Sequence, residues 1–146
     1  MYLAKKQPEL LGKIITLGTK LKWTKEISEK EILNLNPETI RQKVPKFAEV
    51  LLKMHGNQWE NLLLKTAELM IGLGEKNRLT LNEYKQINNK VLLILAEHDK
   101  MVSVEETIQV CEQLPYADFF KLLNSSHPIE TADLKLLIKI ICDFLK

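Results

Sequence analysis

The sequence has 146 residues, a mass of 16.9 kDa and a formal net charge of +2, with 45% hydrophobic and 27% charged residues. This composition is typical of one soluble globular domain and excludes a disordered tail. Basic residues are spread along the chain, without the Lys/Arg stripe of a nucleic-acid interface. The longest apolar run, Val91–Ala96, is far below the roughly 20 residues that span a bilayer, and residues 1–10 lack a signal-peptide core. We therefore expect a cytoplasmic protein that binds neither nucleic acid nor membrane.

The first predicted elements in chain order are a helix, a strand and a long helical block. Residues 2–7 have the character of a helix end that Pro8 stops, and residues 13–18, KIITLG, predict a buried strand. From Thr24 to about Gly74 the pattern is helical. The last helix of this block repeats apolar residues at steps of three and four. They predict one apolar face made of Trp59, Leu62, Leu63, Ala67, Met70 and Leu73.

Strands and helices alternate after the helical block. A capping-box pattern at Thr80–Glu83 predicts a short helix, and the apolar run Val91–Ala96 predicts a strand buried on both faces. Ser103–Glu106 has the same capping pattern and opens another helix, and residues 117–124, ADFFKLLN, predict a further strand. Residues 131–146 predict a closing amphipathic helix with one apolar side: Leu134, Leu137, Ile138, Ile141 and Leu145. This alternation predicts the α/β class, with a parallel sheet covered by helices.

The two cysteines do not form a recognisable site. Cys111 and Cys142 lie inside helical patterns, without a C-x-x-C or Cys/His ligand spacing. We interpret both as small buried hydrophobic residues. The sequence therefore predicts neither a metal nor a cofactor.

Two side chains that can carry acid–base chemistry follow the ends of two predicted strands. Asp99 comes just after Val91–Ala96, and His127 comes just after residues 117–124. Parallel strands end at one edge of a sheet, where open α/β sheets hold their active sites. An acid that binds one nitrogen of a His ring leaves the other nitrogen as a general base. From these residues alone the signal is weak, and a turn-capping Asp with a surface His is the favoured interpretation.

Three segments resemble the carboxyl-terminal half of the α/β-hydrolase family. Residues 88–115, NNKVLLILAEHDKMVSVEETIQVCEQLP, are similar to the family's seventh strand, its acid-bearing turn and the next helix. Residues 117–145, ADFFKLLNSSHPIETADLKLLIKIICDFL, are similar to the eighth strand, the catalytic His and the last helix. Residues 2–23, YLAKKQPELLGKIITLGTKLKW, resemble the helix behind the nucleophile and the sixth strand.

The resemblance implies a partial α/β-hydrolase fold with about three parallel strands. Residues 1–22 and 75–146 would form the carboxyl-terminal half of the core, and residues 23–74 would be a helical lid. It further implies a serine hydrolase of esters or related acyl compounds, with Asp99 as orienting acid and His127 as general base. The family's G-x-S-x-G nucleophile precedes the sixth strand, so we expect no nucleophile in this chain and no hydrolysis by the chain alone.

The resemblance also suggests partners. Aromatic and sulfur-containing residues of the lid-like block could line a pocket for a small apolar ester or acyl substrate, although helix packing explains them equally well; they are Trp23, Phe47, Trp59 and Met70. Without the family's preceding strand, residues 13–18 would form a sheet edge, which predicts a homodimer or pairing with the missing amino-terminal half. The alternative is a non-catalytic oligomeric interaction or small-ligand-binding domain derived from such an enzyme.

Overall fold

The computed structural model describes residues 1–127, 130 and 132–146. Thr131, where the predicted closing helix begins, lies outside the described residues. The strands are β1 (Ile14–Leu17), β2 (Val91–Ala96) and β3 (Ala117–Leu122). The helices are α1 (Tyr2–Lys6), α2 (Lys25–Ile32), α3 (Pro37–Lys43), α4 (Pro45–His55), α5 (Trp59–Glu75), α6 (Leu81–Tyr84), α7 (Val104–Cys111) and α8 (Leu134–Leu145). In the part of the chain that is described, no helix is long and apolar enough to cross a membrane.

The three strands form one parallel sheet in the order β1-β2-β3. β2 is central, and all six of its residues are buried, as its unbroken apolar run predicts. Ile14 pairs with Val91, which in turn pairs with Ala117, so the three strands run in step and end close together. The predicted α/β class with about three parallel strands is confirmed.

Each face of the sheet has its own hydrophobic core. Alternate residues of β2 point to opposite faces. Val91 and Leu93 lie in a cluster with residues of α1, α6 and α7 and their flanking loops: Ala4, Leu21, Leu79, Tyr84, Ile87, Val110 and Leu114. Leu92 and Ile94 lie in a second cluster with residues of β3 and α8, namely Leu122 and Leu137. Helices therefore cover both faces of the sheet, and loops follow the ends of the strands.

The buried side of α8 differs from the predicted one. Leu137 is buried, but Leu134, Ile138 and Leu145 are 55%, 59% and 53% exposed. The side that packs on the sheet consists of Leu136, Leu137, Ile140, Ile141 and Phe144. Because α8 has apolar residues around most of its circumference, periodicity alone does not select the buried side. Cys142 is exposed for the same reason, contrary to the prediction, whereas Cys111 is partly buried.

The chain divides into two compact units. Residues 1–22 and 79–146 contain the sheet and form the first unit, and residues 23–78 form the second. The second unit is helical, and its small core consists of Ile40, Trp59 and Leu63. Thr24 caps α2 and Asn36 caps α3, where Pro37 occupies the first helical position. That the second unit acts as a lid stays a prediction.

Candidate active site

The candidate site lies where the three parallel strands end. Gly18 directly follows β1, Asp99 follows β2 by three residues, and His127 follows β3 by five. Backbone pairing continues past the strand ends, since Glu97 N–H donates to the Leu122 carbonyl and the His98 N–H donates to the Ser125 carbonyl, both at 2.9 Å. The loops that carry the acid and the His are therefore held side by side.

Asp99 is fixed by its own turn. One carboxylate oxygen, Oδ1, accepts hydrogen bonds from the N–H groups of Met101 and Val102, each at 2.9 Å. The Asp99 N–H donates to the Ala96 carbonyl at 3.2 Å, so the turn closes immediately after β2. This arrangement is typical of Asp, whose short side chain bonds backbone N–H groups two and three residues ahead. It leaves the second oxygen, Oδ2, for another partner.

That partner is His127. Its Nδ1 lies 2.8 Å from Asp99 Oδ2, within the hydrogen-bond range expected of an acid–base pair. The Asp99 side chain is 1% exposed, whereas the His127 side chain is 33% exposed and remains accessible. Burial opposes ionisation of Asp99, but hydrogen bonds from the Val102 N–H, His127 and the Met101 N–H outweigh it and lower the pKa of the carboxyl. The acid is thus held as a carboxylate beside the imidazole.

Glu97 supports the His loop. Its Oε2 accepts a hydrogen bond from the Asn124 N–H at 3.1 Å, at a turn where Asn124 has a φ of +53°. Asn tolerates this left-handed conformation better than most residues. The bond from Asn124, together with the charges of Lys121 and His98, lowers the pKa of Glu97. No pattern in the sequence indicates this role of Glu97, because its partner is a backbone N–H and not a side chain of recognisable chemistry.

Glu106 holds the loop after β1. Its Oε1 accepts hydrogen bonds from the N–H groups of Leu21 and Lys22, at 2.6 and 2.8 Å. The predicted cap of α7 is present in part: Ser103 Oγ accepts from the Glu106 N–H at 3.0 Å, but the Glu106 carboxylate serves the β1 loop. Glu106 is buried, so this contact ties α7 to the loop that begins at Gly18.

The other histidines and the serines are exposed or make hydrogen bonds to the backbone of their own segments. The His98 side chain is 62% exposed, and His55 is exposed at the end of α4. Ser28 and Ser125 are each 2% exposed and donate to backbone carbonyls, and Ser103 caps α7. Ser126 is exposed and adjoins His127 in the sequence. Across the described ranges, no group of three or more His, Cys, Asp or Glu residues is arranged to hold a metal ion.

One of the four predicted pocket residues, Trp59, lines a described cavity. The second unit has a cavity of about 400 Å³ that Trp59 lines together with polar residues including Arg41, Glu49 and Asn57. Trp23, Phe47 and Met70 are not part of its lining. Phe47 is 51% exposed, and Trp59 is buried in the helical core with the Arg41 guanidinium 5.5 Å from its ring centroid. Their role as substrate contacts stays a prediction.

Comparison with known proteins identifies the fold of this chain. No protein-family model matches the sequence, and no curated protein sequence matches it. Solved structures do match: an α/β-hydrolase enzyme from a Medee basin deep-sea metagenome library is 17% identical, with a TM-score of 0.63. NosK from Streptomyces actuosus is 13% identical with a TM-score of 0.75, and an enol-lactonase from Burkholderia xenovorans is 15% identical with a TM-score of 0.62.

These matches cover nearly all of this chain but only part of the other proteins. They include 97%, 97% and 98% of this chain and 58%, 61% and 59% of the respective structures. The chain therefore has a partial α/β-hydrolase fold. Among the proteins it is similar to are hydrolases, and it spans about three fifths of their length.

Proposed function

We propose that this chain supplies the acid and the base of a serine hydrolase that cleaves esters or related acyl compounds. The observation that carries the proposal is the 2.8 Å contact between Asp99 Oδ2 and His127 Nδ1, at the ends of neighbouring parallel strands. In this fold, an orienting acid and its base are expected at the ends of these strands. The nucleophilic serine would come from polypeptide outside these 146 residues.

The chemistry follows from the two ring nitrogens of His127. When Nδ1–H donates to Asp99, the lone pair of the neutral ring is on Nε2, which can take the proton of a serine hydroxyl. The carboxylate then stabilises the imidazolium while the serine oxygen attacks the acyl carbon. Nε2 returns the proton to the leaving group, and a water molecule repeats the sequence to release the acid. A general base of this kind contributes about 10²–10⁴ in rate.

The substrate class and the role of the second unit are proposed by analogy with the similar structures. An enol-lactonase is among the similar structures, and a lactone is an internal ester, which supports an ester-type substrate. Residues 23–78 form a separate compact unit between β1 and α6 in the chain, which supports our proposal that they act as a lid. We propose that they contribute apolar contacts to a small ester or acyl group, with Phe47 as the exposed candidate.

The test begins with the DNA upstream of the Met1 codon. We expect an in-frame segment with G-x-S-x-G, and we expect the extended polypeptide to hydrolyse p-nitrophenyl butyrate. Asp99→Asn should lower kcat by about 10⁴-fold, as removal of the orienting acid typically does, and His127→Gln should lower it by about 10⁶-fold, to near background. The matched control is His98→Gln, because this neighbouring histidine is largely exposed. Hydrolysis that survives His127→Gln would contradict the mechanism.

The 146-residue chain alone should give no turnover above background. It would lack both an activated serine and the oxyanion donors next to it, and one such donor is typically worth about 10²–10³ in kcat. If no upstream segment contains the motif, the non-catalytic alternative is favoured. The outer edge of β1, which has no strand neighbour in the described sheet, supports an oligomer in that case.

A further inference from the structure

Gly18 lies beside the acid–base pair. It directly follows β1, and its N–H donates to the Ile94 carbonyl of β2 at 2.9 Å. Its φ is +54°, in the left-handed region that residues with a side chain rarely adopt. β1 therefore ends at the same place as the loops that carry Asp99 and His127.

A side chain at position 18 would meet both atoms of the pair. A Cβ there would lie 3.2 Å from Asp99 Oδ2 and 3.4 Å from His127 Nδ1, the two atoms that share the 2.8 Å contact. It would also lie 3.5 Å from Cε1 of the His127 ring. The first distance is tighter than ordinary van der Waals contact between such atoms, so one neighbour has to move.

His127 is the neighbour that can move. Two backbone N–H groups hold Asp99 at Oδ1, and the side chain is 1% exposed, so its carboxylate cannot shift without breaking these contacts. The His127 ring is 33% exposed and can turn toward solvent. Crowding at position 18 should therefore lengthen or break the Asp99–His127 hydrogen bond while the turn after β2 stays in place.

We propose that Gly18 is a positioning residue of the acid–base pair, and that the absence of a side chain there provides the space in which the Oδ2–Nδ1 hydrogen bond forms. The catalytic meaning of this inference rests on the proposed function. A glycine can be required at position 18 for two reasons. The positive φ favours glycine because of the backbone conformation alone, whereas the space beside Asp99 and His127 favours it because a Cβ would crowd the pair.

Two variants and one control distinguish the two reasons. Gly18→Ala introduces both backbone strain and a Cβ, whereas Gly18→Asn introduces a side chain that tolerates a positive φ. Gly56→Ala is the control for a positive φ away from the pair, because Gly56 has a φ of +59° but open space around it. Thermal unfolding should show a loss of stability for both alanine variants, and a smaller loss for Gly18→Asn than for Gly18→Ala.

The decisive measurement is NMR of the hydrogen-bonded Nδ1 proton of His127 in ¹⁵N-labelled protein. The resonance should be present in the wild type and in Gly56→Ala, and absent in both Gly18 variants. The pKa of Asp99, which His127 helps to lower, should rise toward its ordinary value in the Gly18 variants only. A resonance and an Asp99 titration unchanged in Gly18→Asn would overturn the inference and leave the proposed function standing. Absence of the resonance from the wild type would overturn both.

Discussion

At the scale of single residues, Asp99 uses its two carboxylate oxygens for different purposes. Oδ1 accepts the Met101 and Val102 N–H groups and so closes the turn after β2. Oδ2 faces His127 and sets the orientation of its ring. One residue thus stabilises the fold and prepares the site, so Asp99→Asn should weaken both. The Asn amide can still accept at Oδ1, but it loses the charge that strengthens these hydrogen bonds.

The stabilisation by Asp99 should depend on pH. Its pKa is lower in the folded protein than its ordinary value of 3.8, so the ionised carboxylate favours the folded state. This contribution is complete above the ordinary pKa and is lost as the pH falls through the lower folded value. Urea unfolding of wild type and Asp99→Asn from about pH 6 to about pH 2 should show a difference in free energy that shrinks in acid. A difference that does not vary with pH would contradict this account.

At the scale of elements, Glu106 connects α7 to the loop after β1. Glu106→Ala removes the acceptor of the Leu21 and Lys22 N–H groups. Two hydrogen bonds to a charged group contribute about 3–6 kcal/mol, and the desolvation cost of the buried carboxylate offsets part of this, so we expect a loss of about 2–4 kcal/mol. Glu105→Ala is the control in the same turn of α7, because Glu105 is exposed, and it should change stability by less than about 0.5 kcal/mol. Urea unfolding measures both. Equal effects of the two substitutions would show that the buried contact is not significant.

Alanine substitutions at two glycines of α5 should have opposite effects on the stability of the second unit. A Cβ at Gly74 would lie 2.8 Å from the Ser28 Cβ and 3.0 Å from the Thr24 carbonyl oxygen, so α2 and α5 approach closely there. Gly74→Ala should destabilise this unit by about 1–3 kcal/mol through overpacking. Gly72 has open space around it, so Gly72→Ala should stabilise the helix by about 0.5–1 kcal/mol. Thermal unfolding of the two variants tests this contrast, and a tolerated Gly74→Ala would show that the helices can separate at no cost.

The sequence predicted those elements whose pattern is local. β2 is an unbroken apolar run bounded by polar residues, so its limits and its burial follow from composition alone. Asp99 and His127 could be paired in advance because each follows a predicted strand. The buried side of α8 could not be predicted, because apolar residues surround the helix. Nor could the clearance at Gly18, which depends on strand order and register across residues far apart in the chain.

At the scale of the whole molecule, the sheet has one edge that is poorly protected. β1 pairs with β2 on one side, and its other side has no neighbour in the described sheet. β3, the opposite edge strand, contains Asp118 and Lys121, whereas residues 14–17 contain no charge. Charged residues on an edge strand discourage pairing with another chain. β1 is therefore the edge at which we propose that two copies of the 146-residue chain pair when no preceding strand covers it.

The predicted dimer can be tested by removing one backbone N–H of β1, that of Ile15. Ile14 and Gly18 donate to carbonyls on the β2 side, so the alternation of a strand turns the Ile15 N–H away from β2. Light scattering after size exclusion at tens of micromolar should give about twice the 16.9 kDa of the chain. Ile15→Pro lacks the outward N–H and should be monomeric. Ile15→Ala loses similar packing but keeps that N–H, so it should remain dimeric. A wild-type mass near 16.9 kDa with a cooperative thermal transition would show that the chain is stable without pairing at β1.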